Sequence, residues 1–407
     1  MKKKKLKIFL IIDMILLIAV VAVFVVTRYV GALDMRGDAE VTVELGEEFE
    51  DPGVKSSWAS ASGDVDTDKV GKYIITYRLW GKSVTRTVHV IDPKQFVVGL
   101  KGSAIQKVRE GDSYIDGGAF AIDKKSGPVM DTDIEASGEV DTSKPGTYTV
   151  TYKAKFGEVE RTVTRQVEVI SKDKFGKKAD LIPVLMYHWI YSDKDEPKIV
   201  DGNWIYDKEL EKHLEYLNSE KYYYPSWKEL KAWIDGEIEL PEKSVILTFD
   251  DGKTAFLKNG KPLFEKYKVP VTSFMICWNE NKASTKIKKY ASEYIDFESQ
   301  TYALHRGGST PGYRGVIADL DKQEIGKDLR KAYKVLGNND AMSYPYGDYT
   351  DEAREAVRKE GILCAFTTEY GRVKRGMDST VLPRIRVFGT TNFQTWKDAV
   401  SNIYAKN

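Results

Sequence analysis

Four rhythms of apolar and polar residues follow one another along the chain. The first, Ile8 to Val26, is apolar apart from Asp13, with Lys2 to Lys5 and Lys7 before it and Arg28 after it. About 19 residues rising ~1.5 Å each cover ~28 Å, close to the hydrocarbon thickness of a bilayer, so one membrane-crossing helix is predicted. The lysine cluster sets the N-terminus in the cytoplasm and everything after Arg28 outside. Val30-Gly31-Ala32 keeps a cleaved signal peptide open as the alternative, although the apolar run exceeds the usual core of about 7–15 residues. Both readings export the rest. Asp13 sits near the cytoplasmic end, where a carboxylate is tolerated.

The second and third rhythms are one pattern used twice. Gly63-Asp-Val-Asp-Thr-Asp-Lys-Val-Gly-Lys-Tyr-Ile-Ile-Thr-Tyr77 is matched by Gly138-Glu-Val-Asp-Thr-Ser-Lys-Pro-Gly-Thr-Tyr-Thr-Val-Thr-Tyr152, and Gly46-Glu-Glu-Phe-Glu-Asp-Pro-Gly53 by Gly111-Asp-Ser-Tyr-Ile-Asp-Gly-Gly118. The second copy inserts a loop around Lys124-Lys125-Ser126-Gly127-Pro128. Tyr73, Ile75 and Tyr77 alternate onto one face, and Val84, Arg86, Val88 and Val90 read as a half-buried strand, which predicts two small β-sandwiches. Asp66 and Asp141 are turn residues or, less simply, calcium ligands. Residues 37–171, with a G-x-x-[FY]-x-D-x-G opening and a K-x-G-x-Y-x-[IV]-T-Y strand, resemble the bacterial Ig-like repeats of Gram-positive surface proteins. That resemblance implies a spacer or wall-binding role rather than chemistry.

After the charged stretch Lys172 to Asp180, strand and helix signals alternate. Apolar strand-like runs are predicted at Ile182–Met186, Val245–Phe249, Val269–Ile276, Ala341–Tyr344, Ile362–Thr367 and Leu382–Val387, with helices over Asp207–Ser219 and Lys322–Leu336 between them. This is the rhythm of a parallel sheet, doubly wound or closed as a barrel, whose ligands bind at the carboxyl ends of the strands. Ser244-Val-Ile-Leu-Thr-Phe-Asp-Asp-Gly252 ends in adjacent carboxylates that point to different sides, so one can hold a metal while the other accepts a proton. Further strand ends supply His188, His305 and the rigid turn Tyr344-Pro-Tyr-Gly347.

These elements resemble the polysaccharide deacetylase (NodB homology) domain, carbohydrate esterase family 4. The resemblance rests on Thr248-Phe-Asp-Asp-Gly252, Tyr344 to Gly347, Leu382-Pro-Arg-Ile-Arg-Val387 and Leu185-Met-Tyr-His188. It implies a distorted (β/α)7 barrel that hydrolyses acetyl groups, most often N-acetyl, from amino-sugar polymers with one divalent metal, commonly zinc. Carried over, Asp250 is the general base, Asp251 and His305 are metal ligands, His188 is the general acid, Arg384 orients Asp250 and the Tyr346 backbone N–H helps to hold the oxyanion. One departure weakens the metal site. Where the resemblance calls for Ser-His-Thr, the chain reads Ser299-Gln300-Thr301, and an amide oxygen is a poorer zinc donor than imidazole. The metal set is therefore Asp251 and His305 with Gln300 at best. His213, on the helix with Leu210 and Leu214, reads as structural.

Composition adds limits. At about 150 residues per domain, 407 residues make two to three folded units. Sixty-two basic against sixty-one acidic residues leave +1, so no whole-chain field favours nucleic acid. Two cysteines, Cys277 and Cys364, in apolar strand contexts staple nothing. Tyr187, Trp189, Tyr222 to Tyr224, Trp227, Tyr344 and Tyr346 are either sugar-stacking or core aromatics.

The expected organisation is multidomain. It comprises residues 1–36, a lysine cluster and transmembrane helix; 37–93 and 97–171, two all-β Ig-like sandwiches; and 180–405, the α/β deacetylase-like barrel. The expected function is a single-pass, membrane-anchored extracellular hydrolase acting on cell-surface polysaccharide, either peptidoglycan or poly-N-acetylglucosamine. The alternative is a catalytically impaired homologue that binds or scaffolds glycan at the cell surface.

Overall fold

The structure, a computed structural model, describes residues 32–92, 96–156 and 159–401. The apolar run expected to cross a membrane lies outside those residues. Among the described residues no helix is long and apolar enough to span a bilayer. The chain divides into two compact units, with the boundary between Lys94 and Gln95.

In the first unit, strands Glu40–Glu44, Ser60–Ser62, Gly71–Leu79 and Lys82–Ile91 form one sheet, with the last strand between the first and the third. Val43, Val54, Ile75, Tyr77 and Val88 pack beneath it. The aspartate of the G-x-x-[FY]-x-D-x-G opening has a structural role. The Tyr77 hydroxyl donates to Asp51 Oδ2 at 2.7 Å, and the buried Arg86 guanidinium pairs with the same carboxylate. The second repeat uses the same device, with the Tyr152 hydroxyl donating to Asp116. Asp66 and Asp141 each accept a backbone N–H two residues on, as turn aspartates do.

The second unit joins the second repeat to the α/β part. Here the barrel strands are named β1 (Val184–Tyr187), β2 (Ile246–Phe249), β3 (Val271–Met275), β4 (Ile295–Ser299), β5 (Ala341–Ser343), β6 (Cys364–Tyr370) and β7 (Leu382–Arg386). They are parallel throughout and close into a barrel in that order, β7 returning to β1. Helices α1 (Asp207–Ser219), α2 (Trp227–Asp235), α3 (Thr254–Tyr267), α4 (Glu280–Tyr290), α5 (Lys322–Leu336), α6 (Asp351–Lys359) and α7 (Phe393–Val400) lie between and after the strands. The first and fifth of these helices have the predicted bounds. Caps explain why α2 and α5 start and stop where they do: Ser226 and Asp321 form capping boxes with Glu229 and Glu324, and Gly236 and Gly337 close the C-terminal ends in left-handed conformation. β4 carries alternating acids, Asp296 and Glu298, within a strand that is buried along its whole length. That breaks the apolar signal that marks its neighbours.

Tyr187, Tyr222, Tyr223, Tyr224, Trp227 and Tyr344 are buried and belong to the core. His213 is buried too, stacked on Trp396 at 3.9 Å between ring centres, with Nδ1 3.1 Å from the Tyr187 hydroxyl. Burial pushes its pKa down to about 3, so it stays neutral. Cys277 and Cys364 are free and buried.

The two repeats were expected to serve alike, but the second shares a core with the barrel. Val97, Phe120 and Ile122 pack in one cluster with Leu247, Val271 and Ile295. Gly102 approaches so closely that a Cβ there would lie 2.7 Å from Ser226 N and 2.8 Å from Tyr224 O. One residue earlier, Lys101 is buried, its Nζ donating to Asp340 Oδ2 at 2.5 Å and Asn338 Oδ1 at 2.6 Å. Burial alone would push the lysine pKa down, but Asp340, Asp296 and Glu298 together hold it up. Glu298 shows the opposite balance. Burial and then Asp296 push its pKa well up.

A charged group brought from the second repeat thus neutralises acids under the barrel. Lys101→Met should lower the stability of this unit by about 3–5 kcal/mol, because it strands a buried carboxylate. Calorimetry of the chain should show the melting transition of the barrel moving down while the transition of the first repeat stays in place.

Candidate active site

The site is built at the carboxyl ends of β1, β2, β4 and β5, the side of a parallel barrel where functional groups gather, with Arg384 reaching it from the middle of β7. At the end of β2, Asp250 is 2% exposed and Arg384, from β7, is 0% exposed. The guanidinium forks onto the carboxylate: Nη1 donates to Oδ1 and Nη2 to Oδ2, each at 2.7 Å. Arg384 is itself fixed, donating from Nε to Thr367 O at 3.2 Å and from Nη1 to Thr248 Oγ1 at 3.1 Å. Burial pushes the Asp250 pKa up, yet the Arg384 charge and hydrogen bonds outweigh it and hold the carboxyl below its usual range. Asp250 is therefore an ionised carboxylate in a dry site.

Asp251 follows with φ at 73°, a left-handed conformation that turns its side chain away from that of Asp250. Gly252 continues the turn under Met275, where a Cβ would sit 2.0 Å from Sδ. One carboxylate oxygen of Asp251, Oδ2, accepts from Trp189 Nε1 at 2.9 Å, and Oδ1 lies 3.7 Å from His305 Nε2. Thr301 and Tyr346 are left-handed as well. Of the six non-glycine residues with positive φ among the described residues, three are thus Asp251, Thr301 and Tyr346, just past the ends of β2, β4 and β5. Such conformations cost roughly 1–3 kcal/mol each and concentrate at functional sites. The Tyr346 ring lies 4.6 Å from the His305 ring, which brings the Tyr-Pro-Tyr-Gly turn beside the imidazole.

His188 ends β1. Its Nδ1 is buried without a hydrogen-bond partner among the described residues, and burial pushes its pKa down against the pull of Asp250 and Asp251. A neutral imidazole with an uncommitted nitrogen therefore sits among the two carboxylates.

Gln300 takes an unexpected part. Its Oε1 accepts the backbone N–H of Asp251 at 2.7 Å, so this amide holds the carboxylate loop in place. An N–H facing it obliges the oxygen to lie there and leaves the NH2 group for other contacts. Asp251 and His305 alone fit a divalent cation: with bonds of ~2.1 Å, atoms 3.7 Å apart subtend about 120° at a shared ion. Gln300 adds no third donor in this arrangement. Among the described residues no group of three His, Cys, Asp or Glu side chains is arranged around one point.

Sequence reasoning missed Trp189 as the partner of Asp251, along with two lysines. Lys253 Nζ stands 2.9 Å from the centre of the Trp189 ring, and Lys286 Nζ donates to Gly252 O at 2.9 Å. Burial lowers both lysine pKa values. For two of the three the signal was proximity, since Lys253 directly follows the Asp-Asp-Gly run and Trp189 directly follows His188.

Residues 33–90 and 98–169 match the family described as bacterial surface protein, Ig-like domain, and residues 237–365 match the polysaccharide deacetylase family. YxkH of Bacillus subtilis (strain 168), a protein named for polysaccharide deacetylation, is 30% identical over 215 residues, which are 51% of this chain and 71% of that protein. A poly-β-1,6-N-acetyl-D-glucosamine N-deacetylase of Staphylococcus epidermidis is 28% identical over 198 residues, 45% of this chain and 68% of that protein. The solved structure of IcaB from Ammonifex degensii aligns with 55% of this chain and 97% of its own at 22% identity and a TM-score of 0.44.

Arg384→Lys keeps one positive charge but not the fork, and Arg384→Met keeps neither. Urea unfolding should show the methionine variant destabilised by about 3–5 kcal/mol, with the lysine variant between it and the native chain. Equal stability of all three would mean that Asp250 is not held as a buried charge.

Proposed function

Since the chain belongs to the polysaccharide deacetylase family, we propose that it hydrolyses N-acetyl groups from an amino-sugar polymer at the cell surface, such as poly-N-acetylglucosamine or peptidoglycan. The observation that carries the reading is the buried Arg384–Asp250 fork beside the Asp251–His305 pair. Together they offer an ionised base next to two groups able to hold a cation. The lysine cluster and the apolar run Ile8 to Val26 would anchor the chain in the cell membrane, leaving the repeats and the barrel outside.

In this reading Asp250 takes the proton of the attacking water, and Arg384 keeps it ionised and aimed. His188, neutral at rest, accepts that proton from Asp250 and hands it to the departing amine. The left-handed turn at Tyr346 offers its backbone N–H to the oxyanion. Asp251 and His305 would hold the divalent cation, zinc in the first instance, which when bound polarises the acetamide carbonyl and makes water more acidic. Trp189 and Gln300 position Asp251, the first through its carboxylate and the second through its backbone.

A second reading has its own support. With the Gln300 oxygen committed to a backbone N–H, two protein donors remain for the cation, and a weakly metallated barrel can serve as a glycan-binding or scaffolding body. Acetate release from N-acetylglucosamine oligomers with added zinc separates the two. The hydrolase reading expects release that falls about 10²–10⁴-fold in Asp250→Asn and disappears with a chelator. It also expects Gln300→His to bind zinc at least about tenfold more tightly, read by competition with a metal indicator. No release by the native chain or by Gln300→His at saturating zinc would leave the binding reading.

A further inference from the structure

The first repeat carries two tryptophans that its fold does not bury. Trp58 is 69% exposed and Trp80 is 53% exposed, and their rings meet edge to face with centres 6.2 Å apart. They border a groove of about 390 Å³ lined also by Ser60, Arg78, Lys82 and Ser83, within the ~300–1,000 Å³ range of small-molecule sites.

Two observations say that the rings are not there for the sheet. The second repeat has the same pairing, Ser60 opposite Arg78 in one copy and Glu135 opposite Lys153 in the other, so both strands correspond at an offset of 75 residues. At the places of Trp58 and Trp80 that copy has Asp133 and Lys155, both exposed, and it forms the sheet without them. Trp80 also has φ at 46°, in a two-residue turn with Gly81, where glycine or asparagine is the natural choice. Lys221 and Lys268, two of the other left-handed residues, follow the ends of α1 and α3, and the remaining three form the site described above. A bulky ring retained at an unfavourable φ, next to a second exposed ring, is a surface kept for contact.

We propose that Trp58 and Trp80 form a second glycan site, which takes an uncharged N-acetylated amino-sugar chain. The flat C–H faces of pyranose rings match the exposed indole faces. Ser60 and Ser83 line the groove, and Ser62 and Thr76 continue the same strand face, offering hydroxyls to the sugar hydroxyls and acetamides. Arg78, with Nη1 donating to Ser62 Oγ at 2.9 Å, and Lys82 make the groove positive, which disfavours the protonated amines of a deacetylated chain. The site therefore holds acetylated polymer and releases deacetylated polymer. It goes beyond the barrel reading and stands whether or not the barrel is catalytic.

The test is calorimetric titration of the full chain with N-acetylglucosamine hexamer and with glucosamine hexamer, in the native form, Trp58→Ser and Trp80→Gly. The native chain should bind the acetylated hexamer at a site that both variants weaken about tenfold, with the glucosamine hexamer weaker throughout. Acetate release from a short oligomer should be the same in all three proteins, so failure of this site is distinguishable from failure of the barrel reading. Trp80→Gly relieves the left-handed turn, so its melting temperature should hold or rise. If a variant fails to fold, Trp58→Phe and Trp80→Tyr replace it and should retain binding. Identical titrations in native and variant proteins would overturn the proposal, and so would preference for the glucosamine hexamer or for an anionic wall polymer bound independently of the two rings.

Discussion

The barrel is organised around one buried charge. Asp250 sits at the end of β2 and Arg384 on β7, with β1 between them, so the fork ties three adjacent strands at the mouth of the barrel. Removing a carboxylate and a guanidinium from water is costly unless geometry and further hydrogen bonds compensate. Thr248 and Thr367 supply those bonds from either side. A charge so completely partnered has little freedom to move, which is what a base needs if it is to meet a water in one orientation.

Around this fixed carboxylate the chain uses backbone conformation to aim its neighbours. Three left-handed residues just past the ends of β2, β4 and β5 turn the Asp251 carboxylate, the Thr301 segment and the Tyr346 turn toward a common region near His305. The amide of Gln300 holds the first of these turns by its backbone N–H. Where the related motif places the histidine of Ser-His-Thr, this chain has an amide that pegs the Asp251 loop. In the proposed reading a cation would rest on two side chains and their spacing.

Much of this is legible in the sequence because the chemistry lies at strand ends. Thr-Phe-Asp-Asp-Gly follows an apolar run and Tyr-Pro-Tyr-Gly is a turn by composition, so residue order alone places both. The fork of Arg384 onto Asp250 links residues 134 apart and came only through resemblance. Other features were hidden for physical reasons. β4 alternates acids with apolar residues because its carboxyls face a lysine contributed by the second repeat, and that lysine bonds to Asp340, 239 residues away, a pairing that neither periodicity nor local charge reveals. The second repeat looks like the first in sequence, yet Gly102 and Lys101, the residues that commit it to the barrel, are inconspicuous in a one-dimensional reading. The role of Gln300 turns on which of its atoms faces a backbone N–H, and no spacing rule encodes that.

The most direct measurement is anomalous scattering from crystals of the chain soaked in zinc. One strong peak is expected at the mouth of the barrel, about 2.0–2.2 Å from Asp251 Oδ1 and His305 Nε2, with the Gln300 amide outside its coordination shell and still bonded to the Asp251 backbone. A peak that takes the Gln300 oxygen as a ligand, or zinc bound elsewhere with Asp251 and His305 bare, would contradict a cation held by those two side chains.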